Sequence, residues 1–285
     1  MIKSMTGYGK TEFTINTKKI TIEIKSLNSK NLDLNVRINN PYREKELLVR
    51  KKLSIKLIRG KVDFNLYVEN TGSENTTKIN QSIVKDYINQ LENIQRSMRG
   101  KALEVAMTLP NVLDSVKEEL NQDEWSIIET KIDKTLDKID GVRLDEGSIL
   151  KADFEKRITT LQSLCKNNIV FEEARIPAVR ERIAKSINDL KLDVDKNRFE
   201  QELIFYLEKL DITEERIRLD NHLLYFLKEL NSNESNGKKL GFICQEIGRE
   251  INTTGSKANY APMQQNVVLM KDELEKIKEQ LLNVL

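Results

Sequence analysis

The residues best suited to chemistry lie between Asp211 and Lys257, in a stretch that also holds the only histidine of the chain. Positions three and four apart share one face of a helix. On the first predicted helix of this stretch, the spacing therefore predicts a polar stripe formed by Asp211, Glu215, Arg218 and His222.

A second polar stripe is predicted on the next helix, where Glu246 and Glu250 lie one turn apart with Arg249 beside them. The short connection at residues 231–237 favours antiparallel contact between the two helices. Carboxylates, one imidazole and arginines then converge. Such a group suits a divalent metal ion and a phosphodiester better than a serine or cysteine nucleophile.

Both stripes also have a purely structural interpretation, and the residues leave it open. Thr213 can cap a helix whose first turn is acidic, and Glu214 can form an ion pair with Arg218 one turn later. His222 is followed by a leucine and lies three residues after another, so a partly buried histidine with satisfied hydrogen bonds is equally consistent with the pattern.

The segment NTTGSK, residues 252–257, also has two interpretations. As a turn, it presents backbone N–H groups and Lys257 to a phosphate. As a helix end, it places Gly255 in a left-handed conformation and leaves Ser256 to cap the final helix.

Several standard signatures are absent from the sequence: a glycine-rich phosphate loop, a dinucleotide fingerprint, zinc-ligand spacing and the HExxH motif. A single histidine excludes a two-histidine acid–base mechanism within one chain. Catalysis should therefore use carboxylates, one imidazole or metal-bound water.

Composition indicates a helix-rich soluble protein, with 39% hydrophobic residues, 32% charged residues and only 4 prolines among 285 residues. No apolar run approaches the roughly 18 residues of a membrane span. The N-terminus lacks the apolar stretch of a secretory signal. Cys165 and Cys244 lie in helical patterns without metal-ligand spacing, so we expect buried free thiols and a cytoplasmic location.

The first 70 residues contain three strictly alternating segments, 19–25, 32–38 and 61–68, and one helical segment, 43–58. They predict a sheet covered by a helix on one face, with Lys25, Arg37, Lys61 and Asn65 on the polar open face. This part carries 15 Lys and Arg against 7 Asp and Glu, which favours a polyanionic partner. The predicted RNA contacts are Lys25, Lys30, Arg37, Arg59 and Lys61, with Lys257 from the far end of the chain.

From residue 79 onward the pattern is helical, with a predicted break at the DEGS segment, residues 145–148. The fold class is therefore α+β. We predict three parts: a basic α+β domain (1–70), a helical middle region (71–196) and a C-terminal helical domain (197–285). The apolar stripe at residues 267–281 predicts core packing or an oligomer interface.

Seven segments together resemble the YicC/YloC family of bacterial endoribonucleases: MIKSMTGYG at the N-terminus, EIKSLNSKNLD (23–33), LIRGKVDF (57–64), NRFEQEL (197–203), DITEERIRLDNHL (211–223), GKKLGFICQEIGREINTTGSKA (237–258) and MKDELEKIKEQLLNV (270–284). The resemblance is weakest between about residues 70 and 195. The residues at matching positions are Asp211, Glu214, Glu215, Arg218, His222, Gln245, Glu246, Arg249, Glu250, Asn252, Ser256 and Lys257.

This resemblance implies a cytoplasmic endoribonuclease that depends on Mn²⁺ or Mg²⁺ and acts in RNA turnover. It also implies a homo-oligomer, expected to be a hexamer, that closes on RNA as a clamp. Other RNA-degradation enzymes are possible partners, and a membrane is not.

Two mechanisms follow from the chemistry of the stripes. In the first, a metal held by Asp211, Glu215, Glu246 and Glu250 supplies the attacking hydroxide, and Arg218, Arg249 and Lys257 neutralise the developing charge. In the second, His222 activates the ribose 2′-OH and the product is a cyclic phosphate. A third hypothesis makes the protein an RNA-binding adaptor or chaperone that delivers RNA to other nucleases.

Overall fold

The computed structural model describes residues 2–71, 77–94, 100–115, 120–189, 195–232 and 235–285. It confirms the predicted α+β class: a four-stranded sheet is followed by a mainly helical remainder.

The N-terminal sheet has the strand order β1-β2-β4-β3, in which β3 and β4 are parallel and the other pairs are antiparallel. Strict alternation of apolar and polar residues makes these segments half-buried strands, as predicted. Their bounds are β1 Gly7–Ile15, β2 Lys18–Leu27, β3 Leu32–Ile38 and β4 Gly60–Asn70.

One face of the sheet forms a hydrophobic core, while the other faces solvent. A short 3-10 turn (Tyr42–Lys45) and helix α1 (Glu46–Leu57) connect the parallel strands and cover the core face, together with the first part of a long helix. Ile20, Ile22 and Ile24 of the central strand are fully buried there. The alternate positions of every strand are left on the open face.

A small unit follows β4 in the chain. Strands β5 (Thr77–Ile79) and β6 (Leu113–Ser115) pair antiparallel, and helices α2 (Gln81–Ile94) and α3 (Ala102–Ala106) lie between them. Val84, Ala106 and Val112 form its own small core.

Helix α4 (Gln122–Asp189) runs without interruption over 68 residues, or about 100 Å at 1.5 Å per residue. The predicted break at residues 145–148 is therefore wrong. Its first part packs on the sheet and its next part on the C-terminal helices, so tertiary packing overrides the local turn signal. Within this helix, position 147 requires glycine, because a Cβ there would overlap the carbonyl oxygen of Ile2.

The C-terminal part contains four helices: α5 Lys196–Lys209, α6 Thr213–Leu230, α7 Gly237–Lys257 and α8 Ala261–Leu281. The last three pack with the middle of α4 around a second large core. The predicted apolar stripe on α8, from Val267 to Leu281, lies inside this core. It therefore gives no support to an oligomer interface, because its apolar surface is already covered within one chain.

The two ends of the described chain meet beside this core. Met5 N donates to Asn283 O over 2.7 Å, and Leu285 N donates to Lys3 O over 2.9 Å. The fully buried guanidinium of Arg143 donates to Met5 O over 3.0 Å and to Ser26 Oγ over 2.6 Å. The N-terminal segment thereby joins the sheet, α4 and the C-terminal tail. The predicted domain boundaries at residues 70 and 196 stay a prediction.

Cys165 and Cys244 are buried free thiols, as predicted, and burial raises the pKa of each to about 12. Among the described residues, no helix combines the length and apolar character needed to cross a bilayer.

Candidate functional site

Helices α6 and α7 form the antiparallel pair that the short connection predicts. Lys257, the last residue of α7, donates from Nζ to the carbonyl oxygen of Asp211 over 2.8 Å, just before α6 begins. The start of one helix therefore lies against the end of the other. The two helices of this pair carry the polar residues of both predicted stripes.

Glu215 is a buried carboxylate at the start of α6, with only 7% of the residue exposed. Its Oε1 accepts a hydrogen bond from Lys257 Nζ over 2.9 Å, while its buried Oε2 has no hydrogen-bond partner. Lys257, predicted to contact RNA, is thus held by Glu215 and by the backbone. Half of the Glu215 carboxylate remains unsatisfied, which is costly in a buried position.

The segment NTTGSK is helical, because α7 continues to Lys257. The predicted phosphate-presenting turn is therefore wrong, and so is the left-handed Gly255. Ile251 and Thr254 continue the buried face of α7, and a Cβ on Gly255 would lie 3.0 Å from Val267 Cγ1 of α8. Packing against α8 carries the helix through a sequence whose local signals favour a turn.

Asp211 and Glu214 make the local contacts of a helix start. Asp211 Oδ1 accepts from Thr213 N over 3.3 Å and from Thr213 Oγ1 over 2.8 Å, just before the helix. The predicted capping by Thr213 is wrong, because Thr213 is the first helical residue and the N-cap residue, Ile212, makes no side-chain cap. Glu214 and Arg218 form the predicted ion pair at 2.5 Å on the exposed surface. Of the structural interpretation, the Glu214–Arg218 pair is confirmed.

Glu246 and Glu250 differ in their surroundings, although they lie one turn apart. Glu246 is exposed, whereas Glu250 has only 4% of its surface exposed, beside buried Ile247 and Ile251. In the described part of the chain, no hydrogen bond or ion pair compensates the Glu250 carboxylate. His222 is half-buried on α6, and Arg249 is exposed on α7.

The predicted metal ligands are not gathered within one chain. Among the described residues, no group of three or more His, Cys, Asp or Glu side chains is placed to hold a metal ion. Asp211 is engaged by the start of α6, Glu215 by Lys257, and Glu246 is exposed to solvent. The carboxylates therefore lie on the predicted helices without a shared coordination point.

The open face of the sheet carries Lys25, Arg37, Lys61 and Asn65, as predicted from alternation. However, its charges are balanced. Lys25 Nζ lies 3.0 Å from Glu23 Oε1, and this contact lowers the pKa of Glu23 and raises the pKa of Lys25. Five basic residues share the face with five acidic ones: Lys10, Lys19, Lys25, Arg37 and Lys61 against Glu12, Glu23, Asp33, Asp63 and Glu69.

The remaining predicted RNA contacts lie at the end of the sheet. Lys30 is exposed in the loop between β2 and β3. Arg59, in the turn before β4, donates from Nε to the carbonyl oxygen of Ser29 in the same loop over 3.0 Å.

Comparison with known proteins covers nearly the whole chain. Residues 2–152 match the family model described as endoribonuclease YicC-like, N-terminal region, and residues 170–285 match endoribonuclease YicC-like, C-terminal. The chain belongs to the YicC-like endoribonuclease family. Two relatives are named probable endoribonuclease YicC. The Clostridioides difficile (strain 630) protein is 30% identical and the Haemophilus influenzae (strain Rd) protein 28% identical, each over 100% of both chains.

Sequence reasoning missed two lysines of this YicC-like chain, Lys238 and Lys278, which line a cavity together with Arg59. These positions come from α7, α8 and the turn before β4, so no spacing rule connects them. The only local signal was the lysine pair that follows Gly237 at the start of α7.

Proposed function

We propose that this chain is an endoribonuclease whose cleavage centre lies on the α6–α7 pair. Full-length similarity to two relatives named probable endoribonuclease supports the reaction class. The observation that carries the site is the Glu215 carboxylate on α6, whose buried Oε2 has no hydrogen-bond partner and which lies on a helix packed against α7, the helix that carries Glu250. A buried carboxylate oxygen without a partner costs stability, so a functional role explains its presence.

The residues of this pair have the chemistry for phosphodiester cleavage. Half-buried His222 or the Glu250 carboxylate can accept the proton of the ribose 2′-OH, whose oxygen then attacks phosphorus. The 5′-oxygen leaves with a proton from the second group, and the product ends in a 2′,3′-cyclic phosphate. Exposed Arg249, which has no ion-pair partner among the described residues, is available to neutralise the added charge.

A divalent cation, Mn²⁺ or Mg²⁺, is a further part of the proposal, as is a role in RNA turnover. Because the described side chains of a single chain do not group three ligands, we assign the cation no step. Cleavage measured with and without a chelator tests the requirement. End-group analysis separates the routes, since hydrolysis with metal-activated water leaves a 5′-phosphate and 2′-OH attack leaves a cyclic phosphate.

Substitution of Glu250 tests the site. In rigorously purified protein, we expect Glu250→Gln to lower kcat about 100-fold or more, the usual contribution of a general acid or base. Its melting temperature should stay close to that of the wild type, because the Glu250 side chain makes no hydrogen bond or ion pair with the described residues that the substitution would remove. Exposed Glu155→Gln, on α4, is the matched control and should change neither quantity. Unchanged cleavage by Glu250→Gln would indicate a contaminating nuclease.

That last outcome favours the second candidate, an RNA-binding adaptor or chaperone that delivers RNA to other degradation enzymes. The cavity lined by Arg59, Lys238 and Lys278 supports this alternative, because it offers basic contacts to RNA that need no cleavage centre. Such an adaptor retains RNA affinity when Glu250 is replaced, and it cleaves RNA only in the presence of a partner nuclease.

We also propose a homo-oligomer, with a hexamer as the expected size. An apolar stripe on the outside of α1 supports it, since Leu47 is 80% exposed and Ile55, on the same helix face, is 69% exposed. Light scattering at micromolar concentration should give a multiple of the 33.1 kDa chain mass. Leu47→Glu/Ile55→Glu should reduce that mass, and a monomeric wild type would contradict the proposal.

A further inference from the structure

A cavity of about 250 Å³ lies where the turn before β4 meets the start of α7 and the end of α8. Three basic side chains and one amide line it, and none of its lining residues is acidic. The lining consists of Arg59, Gly237, Lys238, Gly241, Gln245, Lys278, Leu281 and Leu282. Its volume is below the roughly 300 Å³ at which pockets for drug-sized ligands begin, so it suits a small group.

Arg59 is positioned by an unusual turn. Ile58, directly before it, has a φ of 54°, and Gly60, directly after it, has a φ of 121°. A β-branched residue at positive φ is rare, and such strain tends to be kept at functional positions. The Nε donates to Ser29 O, whereas the terminal nitrogens of Arg59 have no hydrogen-bond partner in the described structure. Its two free donor groups remain available to a ligand.

The two lysines reach the cavity from different helices. Lys238 lies in the first turn of α7, and among the described residues it has no ion-pair partner. Lys278, in the last turn of α8, has one partner, Glu275, at 2.6 Å, which is exposed and does not line the cavity. Three positive charges held around one small space repel each other unless an anion lies between them.

The glycines of α7 leave room for a ligand. A Cβ at Gly241 would meet no other atom within 4 Å, so the helix surface there is open. Gly237 has a different role: a Cβ would lie 2.6 Å from Val284 O, which means that only glycine lets the C-terminal tail pack against the start of α7.

The cavity also opens onto a line of polar residues along α7. Lys238, Gln245 and Arg249 are seven and four positions apart and therefore share one face of the helix. From Lys238 to Arg249 this line spans about 16 Å at 1.5 Å per residue. Arg249 neighbours Glu250, the carboxylate placed at the proposed cleavage centre.

We propose that this cavity binds one backbone phosphate of the RNA substrate, with Arg59, Lys238 and Lys278 as cationic contacts and Gln245 as a hydrogen-bond donor. The inference rests on the proposed endoribonuclease function and adds a second contact point to it. If a phosphate is held here and the RNA strand runs along α7 toward Arg249, the cleaved bond lies a few nucleotides from that phosphate. The same chemistry would accept a free phosphate or a mononucleotide, and the test separates these sources.

The test compares Lys238→Gln and Lys278→Gln with Lys271→Gln, an exposed lysine of α8 that does not line the cavity. Binding of a labelled single-stranded 2′-O-methyl RNA is measured from 50 to 400 mM salt. One lost phosphate contact should lower the slope of log affinity against log salt by about 0.7 and weaken binding about fourfold at 0.15 M salt. Lys271→Gln should leave the slope unchanged.

Neutral methylphosphonate linkages placed one at a time along the RNA give the position of the contact. We expect one linkage, at a constant distance from the cleaved bond, to weaken binding to the wild type and to have little further effect on Lys238→Gln. That non-additivity identifies the lysine and the phosphate as partners.

Two outcomes overturn the inference and leave the proposed function in place. In one, the wild type binds and cleaves RNA but Lys238→Gln and Lys278→Gln keep its slope. In the other, both variants again keep the wild-type slope of RNA affinity against salt, but inorganic phosphate raises the melting temperature of the wild type and not that of Lys238→Gln at equal ionic strength. The cavity would then be a site for a small anion. A wild type that binds no RNA overturns the inference and the proposed function together.

Discussion

The open face of the N-terminal sheet and the cavity beside α7 both contain basic residues, yet they differ in how those charges are compensated. On the sheet, Lys10 lies opposite Glu23, Lys19 opposite Glu69, and Lys25 opposite Asp63. In the cavity, Arg59, Lys238 and Lys278 meet without an acidic residue in the lining. The region with the larger excess of basic residues in the sequence therefore has the more neutral surface in the structure.

The difference has a geometric cause. Residues directly opposite each other on neighbouring strands are about 5 Å apart, and residues two apart on one strand share a face, so a basic residue on a sheet has fixed neighbours, as in the Lys10–Glu12 and Lys25–Glu23 pairs. Pairing a lysine with a carboxylate there favours the sheet and cancels its field. The cations of the cavity come from three separate elements, and among the described residues only Lys278 has an ion-pair partner, Glu275, which lies outside the lining. Excess charge in a segment thus indicates a binding surface less reliably than uncompensated charge at one place.

The largest effect should come from a clash between α4 and the N-terminal segment, which holds the sheet and the C-terminal tail together. Gly147→Ala on α4 places a Cβ 2.8 Å from the carbonyl carbon of Ile2, in the segment that joins the sheet to the C-terminal tail. We expect a loss of about 3 kcal/mol in unfolding free energy and a fall in melting temperature of about 5–10 °C. A thermal melt measures it.

Gly141→Ala is the matched control on the same helix, because a Cβ there meets nothing within 4 Å. Alanine should leave the stability unchanged or raise it by up to about 1 kcal/mol, since it favours a helix more than glycine does. Equal melting temperatures for the two variants would show that the approach of Ile2 to α4 is not a tight constraint.

A smaller effect should follow from removing the compensation on the sheet. Glu12 pairs with Lys10 at 2.6 Å, and Glu23 pairs with Lys25 at 3.0 Å. Glu12→Gln/Glu23→Gln frees these lysines, so RNA affinity should rise and the salt slope should steepen by about 0.7–1.4, the value of one or two new phosphate contacts. Titrations of labelled RNA at several salt concentrations give the slope.

Exposed Glu208→Gln/Glu279→Gln, away from the sheet, changes the net charge equally and serves as the control. If it steepens the slope as much as the sheet variant does, then total charge rather than local pairing governs RNA binding, and the comparison between the two regions loses its meaning.

The smallest effect should appear as pH falls. Contact with Lys25 lowers the pKa of Glu23, and contact with Lys10 lowers the pKa of Glu12. A carboxyl with a lowered folded pKa stabilises the protein above its unfolded pKa, roughly 4.3, and this contribution disappears as pH falls through the folded value. Protonation also removes the negative charges from the sheet face.

RNA affinity of Lys238→Gln/Lys278→Gln should therefore rise modestly below about pH 4, as the sheet becomes basic. The measurement is RNA binding at constant ionic strength between pH 6 and pH 3.5, with circular dichroism to verify the folded state. A flat profile in folded protein would show that the sheet face does not contact RNA even when its acidic residues are neutral.

Local sequence determined the elements and several contacts of this protein. Alternation in 19–25, 32–38 and 61–68 predicted three strands and the correct open face. The short connection at 231–237 predicted the antiparallel pair, and helical spacing predicted the Glu214–Arg218 ion pair. These features depend on residues within a few positions of each other, which a periodic pattern contains in full.

Tertiary structure decided everything that depends on partners distant in the chain. Packing on the sheet and on the C-terminal helices keeps α4 continuous through a turn signal, α8 keeps residues 252–257 helical, and Glu215 engages Lys257. The burial of Glu250 and the meeting of Arg59 with Lys238 and Lys278 are of the same kind. Burial and charge compensation are properties of packed neighbours, and no spacing along the chain encodes which neighbours those are.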